Sequence, residues 1–510
     1  MQWEPEQSGS QSLGGCMKQQ QAFARLEALD RHLVMLEHIG AALQWDQETI
    51  LSEKAVDERA NQLGWLAEQS HAVASGDEMG QLLALLDETK SESVFEQALI
   101  RIRRKEYERK RKMPKDLVRA ITEGGAKAHQ SWVTARKASD FSLFSQDLTV
   151  MVDLAREKAS CLSDDSSSLY DALLAEFEEG MSTKEVATLF DSIKKPLSDL
   201  VQTYAEKDVD ASFLRQAYPI EGQQAFANQV LTDMGFDFTR GSCAVSVHPF
   251  TTTIASDDIR ITTRYTDPSV MDSFASSIHE GGHALYEMGA SSTRLRGTSL
   301  AGGASHGMHE SQSRLWENMV SKSPEFWERY YPQFSKLFPT QTAGIGLDHF
   351  VRAVNKVGRT CIRVNADEMS YSLHIFLRFG LEQALLAGTL SVEELPHAWD
   401  EEFARLFGFK PATASEGVLQ DVHWSSGDFG YFPTYALGNL YGAQIWAHIQ
   451  NNLGLRPDDV EGISLYLRHA VYEKGALQTG RRTAESVTGK ALDATVFTSY
   501  LENKFSRLFG

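Results

Sequence analysis

In Ser277-Ile278-His279-Glu280-Gly281-Gly282-His283-Ala284-Leu285-Tyr286 two histidines stand four residues apart, with a glutamate directly after the first. Residues four apart stack on one face of a helix, so His279 and His283 would turn both imidazoles toward a common point. That supplies half of a tetrahedral zinc site, which takes ring nitrogens at about 2.0–2.1 Å. Glu280 then lies beside the metal rather than on it, placed to take a proton from water whose pKa zinc lowers to about 7. The plain alternative is a helix carrying two half-buried imidazoles. Gly281 and Gly282 weigh against it, because each costs roughly 1 kcal/mol inside a helix. Such a cost fits a place where another chain or a ligand approaches closely.

A catalytic zinc also needs a third protein ligand and an open fourth position. No third histidine stands six residues beyond the second, since that position is Gly289. Glu287 lies one turn past His283, but three ligands in line along one helix fit a tetrahedron poorly. A second helix crossing the first is the better source. The segment SHGMHESQSRLWEN (Ser305–Asn318) follows a glycine-rich stretch that reads as a loop, and it offers His306, His309, Glu310 and Glu317. Glu310, Arg314 and Glu317 fall along one side of such a helix. Spacing leaves the choice among these residues open.

The elements that must position these groups are legible around them. Asp267 reads as a cap, Pro268 as the first helical residue and Gly289 as the end of the histidine-bearing helix. Met271, Phe274, Ile278, Leu285 and Met288 form its core stripe, while Ala275, His279, His283 and Glu287 share a neighbouring face. Just upstream, Cys243–Tyr265 is rich in β-branched residues with a turn at Ser256-Asp257-Asp258, which reads as a small antiparallel hairpin. Its edge could seat an extended peptide. Elsewhere the apolar spacing is helical from Ala22 onward, and Ser182 with Glu185 forms a capping box.

Across the 510 residues the composition is that of a globular protein, with 42% hydrophobic and 23% charged residues. A net charge of −19 argues against nucleic acid or an anionic membrane as partner, since both attract basic surfaces. The one basic run, Arg101–Lys115, is interleaved with glutamates and reads as a solvated helix face. Cys16, Cys161, Cys243 and Cys361 lie far apart, which suits a reducing compartment. There is no secretory signal and no apolar run of about 18 residues, so the cytoplasm is the expected location. Residues 1–20 are polar and read as disordered, ahead of one catalytic domain over residues 21–510.

HEGGH, followed some thirty residues later by HESQ, resembles the carboxypeptidase Taq family of zinc metallocarboxypeptidases. HPF (His248–Phe250), DIRIT (Asp258–Thr262), HESQSRLWEN (His309–Asn318), IRVNAD (Ile362–Asp367), GVLQDVHW (Gly417–Trp424) and FGYFPTY (Phe429–Tyr435) are similar to the family's signatures, in the family's order. The resemblance implies His279, His283 and Glu310 as zinc ligands and Glu280 as general base. It also implies a mainly α, two-lobed helical fold around a deep cleft, like that of neurolysin, with the small β element beside the zinc helix. Homodimers, and replacement of zinc by cobalt, are further implications.

An enzyme acting at peptide C-termini must hold a free carboxylate, which calls for a cation. Arg363 takes that role from its place in the family motif; otherwise it is a helix pair with Asp367 at i+4. A tetrahedral intermediate develops an oxyanion, which neutral donors stabilise beside the metal. Tyr435 is the first choice for that donor and Tyr431, which also borders the substrate, the second. His423 is a companion in the Gly- and Ser-rich segment GVLQDVHWSSGDFGYFPTY, read as a loop. His248 either lines the cleft or only fixes a turn. The reading that results is a zinc metallocarboxypeptidase acting on peptides with a free C-terminus. A related oligoendopeptidase is the alternative, and a helical scaffold without catalysis, argued against by the intact Glu280, is the third reading.

Overall fold

The protein is described here from a computed structural model covering residues 9–87, 90–164, 168–265 and 269–510. Of the polar N-terminal segment, residues 1–8 lie outside this description, and helix α1 is described from Gly9. Helices dominate. Those that position the site are α1 (Gly9–Thr49), α2 (Val94–Lys112), α3 (Leu169–Phe177), α4 (Thr183–Tyr204), α5 (Ile220–Asp233), α6 (Val270–Ala290), α7 (His306–Arg314), α8 (Tyr371–Ala387) and α9 (Pro433–Leu453). Three strands stand between α5 and α6: β1 (Gly241–Val245), β2 (Thr251–Ala255) and β3 (Asp258–Thr263).

The sheet has the order β1-β3-β2. The expected hairpin is there, β2 and β3 pairing antiparallel with Thr251 opposite Ile261. A third strand adds to it, β1 running parallel to β3 with Gly241 opposite Ile259. Ile259 and Ile261 alternate into the core, as the two-residue period of a strand requires. The capping box opens α4 as the sequence predicts.

Helix α6 carries the two histidines. Asp267 and Pro268 lie outside the described residues; the N-cap is Ser269, whose side chain accepts from the Met271 N–H. The helix continues through Gly289 to Ala290 rather than stopping before it. Met271, Phe274, Ile278, Leu285 and Met288 are buried, and His279, His283 and Glu287 occupy the less buried face.

A large apolar core runs from Ala128 to Phe505 and includes the buried stripe of α6. A smaller core joins Ala22, Leu26, Leu29 and Leu33 of α1 to Met79, Leu83 and Ile100. The spacing of those α1 residues is that of one helix stripe facing a core. The C-terminal part of α1 reaches the sheet, where Trp45 packs edge-on to Phe250 at 5.6 Å and lies under the Arg260 guanidinium at 5.4 Å. The basic run departs from its expected solvated face. Arg103 of α2 is buried against Asp30 of α1, and Arg109 and Lys105 pair with Glu176 and Glu179 at the end of α3. Of its basic side chains only those at the far end, Arg111, Lys112 and Lys115, are exposed. Among the described residues no helix is long and apolar enough to cross a membrane.

Candidate metal centre

Helices α6 and α7 cross closely enough to bring His279, His283 and Glu310 together, with one potential ligand atom of each inside 4.8 Å of the others. Glu310 Oε2 lies 3.5 Å from His279 Nε2 and 3.4 Å from His283 Nε2. A tetrahedral ion with bonds of about 2.0–2.1 Å keeps its ligand atoms roughly 3.3–3.4 Å apart, so these separations fit one. The helix approach depends on Gly282, where a Cβ would stand 2.7 Å from Ser313 Cα and 2.8 Å from the Gln312 carbonyl. At Gly281 it would meet Leu231 of α5. The glycine pair therefore admits neighbouring helices of the same chain, not a substrate peptide.

The surroundings set the tautomers. His279 Nδ1–H donates to Glu317 Oε2 at 2.9 Å, which leaves Nε2 free as a ligand atom. Glu287 Oε1 accepts from His309 Nε2–H at 2.8 Å, so His309 Nδ1 is an acceptor. The His283 Nδ1–H then donates to it at 2.5 Å, again leaving Nε2 free. Such outer partners commonly orient metal-binding histidines. Burial pushes His283 down to about 3, with His309 and His279 adding to the effect, so it is the neutral imidazole that ligation needs. Burial alone would raise Glu310, but Arg314 and the two imidazoles outweigh it and hold the carboxylate well below its usual range. Arg314 donates to Glu310 at 2.7 Å and to Glu317 at 3.2 Å. Glu317 itself stands on a π-helical stretch, Leu315–Val320, that extends α7.

Glu280 is buried and is not among the three gathered ligand residues. Thr251 of β2 donates to its Oε2 at 2.6 Å. Burial raises its pKa, partly offset by His279 and by the Thr251 bond, a shift in the direction a general base at neutral pH requires. Thr253, two residues along, donates to Glu287. The edge strand thus engages the site through its hydroxyls.

A second cluster adjoins the first through Tyr371. The Arg314 guanidinium lies over the Tyr371 ring at 4.3 Å, and Arg363 Nη1 donates to the Tyr371 hydroxyl at 2.8 Å. Arg363 is buried on a 3-10 turn, Arg363–Asn365, and does not pair with Asp367, which caps Ser370 instead. Its partner is Asp421 Oδ1, reached by Nε at 3.0 Å and Nη2 at 2.8 Å. Arg378 of α8, fully buried, takes the other oxygen, with Nε at 2.7 Å. Two guanidinium groups around one carboxylate leave one positive charge in excess.

Tyr435 stands in the first turn of α9 rather than in a loop, and a short helix, His423–Ser426, interrupts the segment before it. The Tyr435 and Tyr431 rings meet edge-on at 5.1 Å, His423 stacks on Tyr431 at 5.6 Å, and Arg363 lies 5.1 Å from the Tyr435 ring. Burial, with Tyr431 and Tyr371 nearby, keeps the Tyr435 phenol well above its usual pKa, hence a neutral donor. His423 is pushed down to about 4 by burial and the two arginines; its Nδ1 lies 4.0 Å from Asp421. His248 stands apart, exposed in the turn after β1, with its carbonyl accepting from Ser246 Oγ.

Residues 25–505 match the model of the carboxypeptidase Taq (M32) metallopeptidases. The chain belongs to that family. It is 36% identical to thermostable carboxypeptidase 1 of Thermus thermophilus, over 97% of this chain and all of the relative. It is 35% identical to carboxypeptidase 1 of Bacillus subtilis, over 92% and 95%. Among solved structures, the M32 carboxypeptidase of Deinococcus radiodurans superposes with a TM-score of 0.90 at 35% identity, over 96% of this chain and 100% of that one. Metallocarboxypeptidase 1 of Trypanosoma cruzi gives 0.90 at 28% identity, over 95% and 99%. The protein is accordingly a metallocarboxypeptidase with the family's mainly helical fold and small three-stranded sheet, and the oligoendopeptidase alternative is set aside.

Sequence reasoning missed Thr251, Tyr371, Arg378 and Asp421. Asp421 lies inside the quoted motif GVLQDVHW, and a carboxylate there was the available signal. The others carry no local pattern.

Proposed function

We propose that His279, His283 and Glu310 hold a zinc ion at which this carboxypeptidase releases residues one at a time from peptide C-termini. The donor set of two imidazoles and one carboxylate, spaced for a tetrahedron with a position left over, supports that reading. Cobalt suits the same set. When bound, the ion supplies a Lewis acid for the scissile carbonyl and acidifies water. The chain's own groups do the rest. Glu280 accepts the proton of the attacking water and returns it to the leaving amine, with Thr251 fixing its carboxylate. Tyr435, with Tyr431 and His423 beside it, donates to the developing oxyanion. Arg363 binds the terminal carboxylate, held in place by Asp421, and Tyr431 borders the same space. His248, exposed on its turn, fits the turn-fixing role better than the substrate-binding one.

The observation that carries the carboxylate anchor is the unbalanced positive charge of Arg363, Arg378 and Asp421, which an anionic C-terminus would neutralise. The test is kcat/KM for a blocked peptide as free acid and as C-terminal amide. The acid should be cleaved far faster by the wild type, and Arg363→Ala should shrink the ratio by about tenfold or more, the worth of a charge-assisted hydrogen bond of roughly 1.5–3 kcal/mol. An unchanged ratio in the variant would move the anchor elsewhere. Residues 21–510 work as one catalytic unit in this reading, in the cytoplasm and as a homodimer. The free thiols of Cys161, Cys243 and Cys361 support a reducing compartment, and the family resemblance supports the dimer.

A further inference from the structure

Two buried carboxylates without a part in this chemistry stand at the ends of α3. Glu178, fully buried, directly follows that helix. Its Oε1 accepts from Ser305 Oγ at 2.9 Å and from the Tyr441 hydroxyl at 3.1 Å, and its Oε2 accepts from the Gly307 N–H at 3.0 Å. Ser305 caps α7 and Gly307 lies in its first turn, so Glu178 grips the start of the helix that bears Glu310. A Cβ at Gly307 would lie 2.6 Å from that carboxylate, so the grip is as close as the backbone permits. Glu382 of α8 is equally buried. Its Oε1 accepts from Trp424 Nε1 at 2.8 Å, and its Oε2 accepts from the Tyr170 hydroxyl at 2.7 Å and the Gly430 N–H at 3.1 Å. Trp424 follows His423 and Gly430 precedes Tyr431, so one carboxylate holds both ends of the segment between the two. Tyr170 belongs to the first turn of α3. At the other end Phe177 packs edge-on to both His306 of α7, at 5.4 Å, and Tyr431, at 5.1 Å.

A buried carboxylate is tolerated only where donors satisfy it, and each of these collects three. From this arrangement we infer that Glu178 and Glu382 are positioning residues, which use α3 as a strut to fix the metal-binding helix and the aromatic segment relative to one another. Glu178 acts on the metal ligands and Glu382 on the oxyanion donors. The inference rests on the roles proposed above for Glu310, His423, Tyr431 and Tyr435.

The chemistry of the partners makes the two effects separable. Both oxygens of Glu382 face a group that can only donate, Trp424 Nε1–H on one side and the Gly430 N–H on the other. Glu382→Gln therefore sets an amide NH2 against an N–H whichever way it turns. Its kcat should fall by about 10²-fold, as for a displacement of about 1 Å at a reacting group, while zinc affinity stays at the wild-type value. Adding Trp424→Phe removes one of those donors and should recover part of the loss. Glu178→Ala should instead weaken zinc affinity by about tenfold, the lower end of what loss of a ligand's direct outer partner does, because it acts on Glu310 through the start of α7. Glu178→Gln can keep its carbonyl on Gly307 and donate its NH2 to the Ser305 and Tyr441 hydroxyls, so it should bind zinc nearly as the wild type does; if Glu178→Ala does not fold, Glu178→Asp, which falls short of Gly307, replaces it. Zinc affinity is read by competition with a chelating dye, and kcat per zinc-loaded chain with a free-acid peptide. Equal loss of melting temperature in both variants, with kcat per loaded chain and zinc affinity unchanged, would reduce both residues to packing and overturn the proposal. A His283→Ala control separates the levels. If it still binds zinc, the ligand assignment falls and the proposal with it. If it loses zinc while Glu178→Ala and Glu382→Gln behave as wild type, only the proposal fails.

Discussion

Glu280 and His423 show how burial assigns tasks to single residues in this site. Glu280 is raised by burial and held by Thr251, yet it is not among the three gathered ligand atoms. Glu280→Gln should therefore keep its metal, by elemental analysis, and lose about 10²–10⁴-fold in kcat. Loss of metal in that variant would overturn the ligand set. His423 is lowered to about 4, so it is a neutral group at working pH in the role proposed for it above. Because its folded pKa lies below the ordinary value near 6.5, the unfolded chain takes up a proton between about 6.5 and 4 that the folded chain refuses. Its contribution to stability is present above that window and is lost as pH falls through it. Relative to wild type, His423→Gln should lose less stability between pH 7 and pH 5 in urea unfolding. Parallel losses in the two proteins would show that another group titrates there.

At the scale of elements, the site is two helices whose crossing distance a glycine sets. A Cβ at position 282 would press on backbone atoms of α7, which cannot swing aside, whereas at position 281 it meets the end of the Leu231 side chain. Gly282→Ala should therefore lower zinc affinity and cost about 1–3 kcal/mol of stability, while Gly281→Ala disturbs zinc binding less; equal zinc affinities in the two variants would contradict the geometry. What was legible in the sequence follows the same division. Periodicity identified α6, its buried stripe and its histidine face, because those features repeat within a few residues. Glu310 was not separable from His306, His309 and Glu317 by spacing, since one side of the same helical stretch presents them all; the crossing of α6 and α7 gathers Glu310 with both imidazoles, while Glu317 and His309 bond to the other ring nitrogens. Arg363 was recognisable by its motif, but its true partner, Asp421, lies 58 residues away, and no local pattern connects the two. Glu178 and Glu382 were invisible for the same reason. Glu382 is a lone carboxylate in an apolar stretch and Glu178 one of three neighbouring glutamates, and neither position carries a period.

At the scale of the whole molecule, the N-terminal helices meet the rest of the chain through an apolar cluster, Phe95, Ala98 and Leu99 of α2 against Leu295, Leu300 and Ala476, and through polar contacts from α1 and α2. Asp30 accepts from the Ser299 N–H at 3.1 Å, Arg31 donates to the Arg296 carbonyl at 2.8 Å, and Arg101 donates to the Ala476 carbonyl at 2.9 Å. Asp30 also forms an ion pair with Arg103 at 2.8 Å, and both side chains are almost fully buried. Burial raises the pKa of Asp30 despite Arg103 and Ser299, so desolvation outweighs attraction, the usual balance of a buried pair. Two consequences follow from that sign. Asp30→Ala leaves the buried Arg103 with Glu106 as its remaining carboxylate and the Ser299 N–H without its acceptor, and should destabilise the protein by about 1–3 kcal/mol. Asp30→Asn with Arg103→Met removes both charges while the amide oxygen keeps its bond to Ser299, and should be more stable than Asp30→Ala and than Asp30→Asn alone. Denaturant unfolding of the wild type, Asp30→Ala, Asp30→Asn, Arg103→Met and the double variant completes the cycle between the two positions. If the double variant is no more stable than Asp30→Asn, the pair contributes net attraction, and the packing of α1 against α2 owes part of its strength to charge.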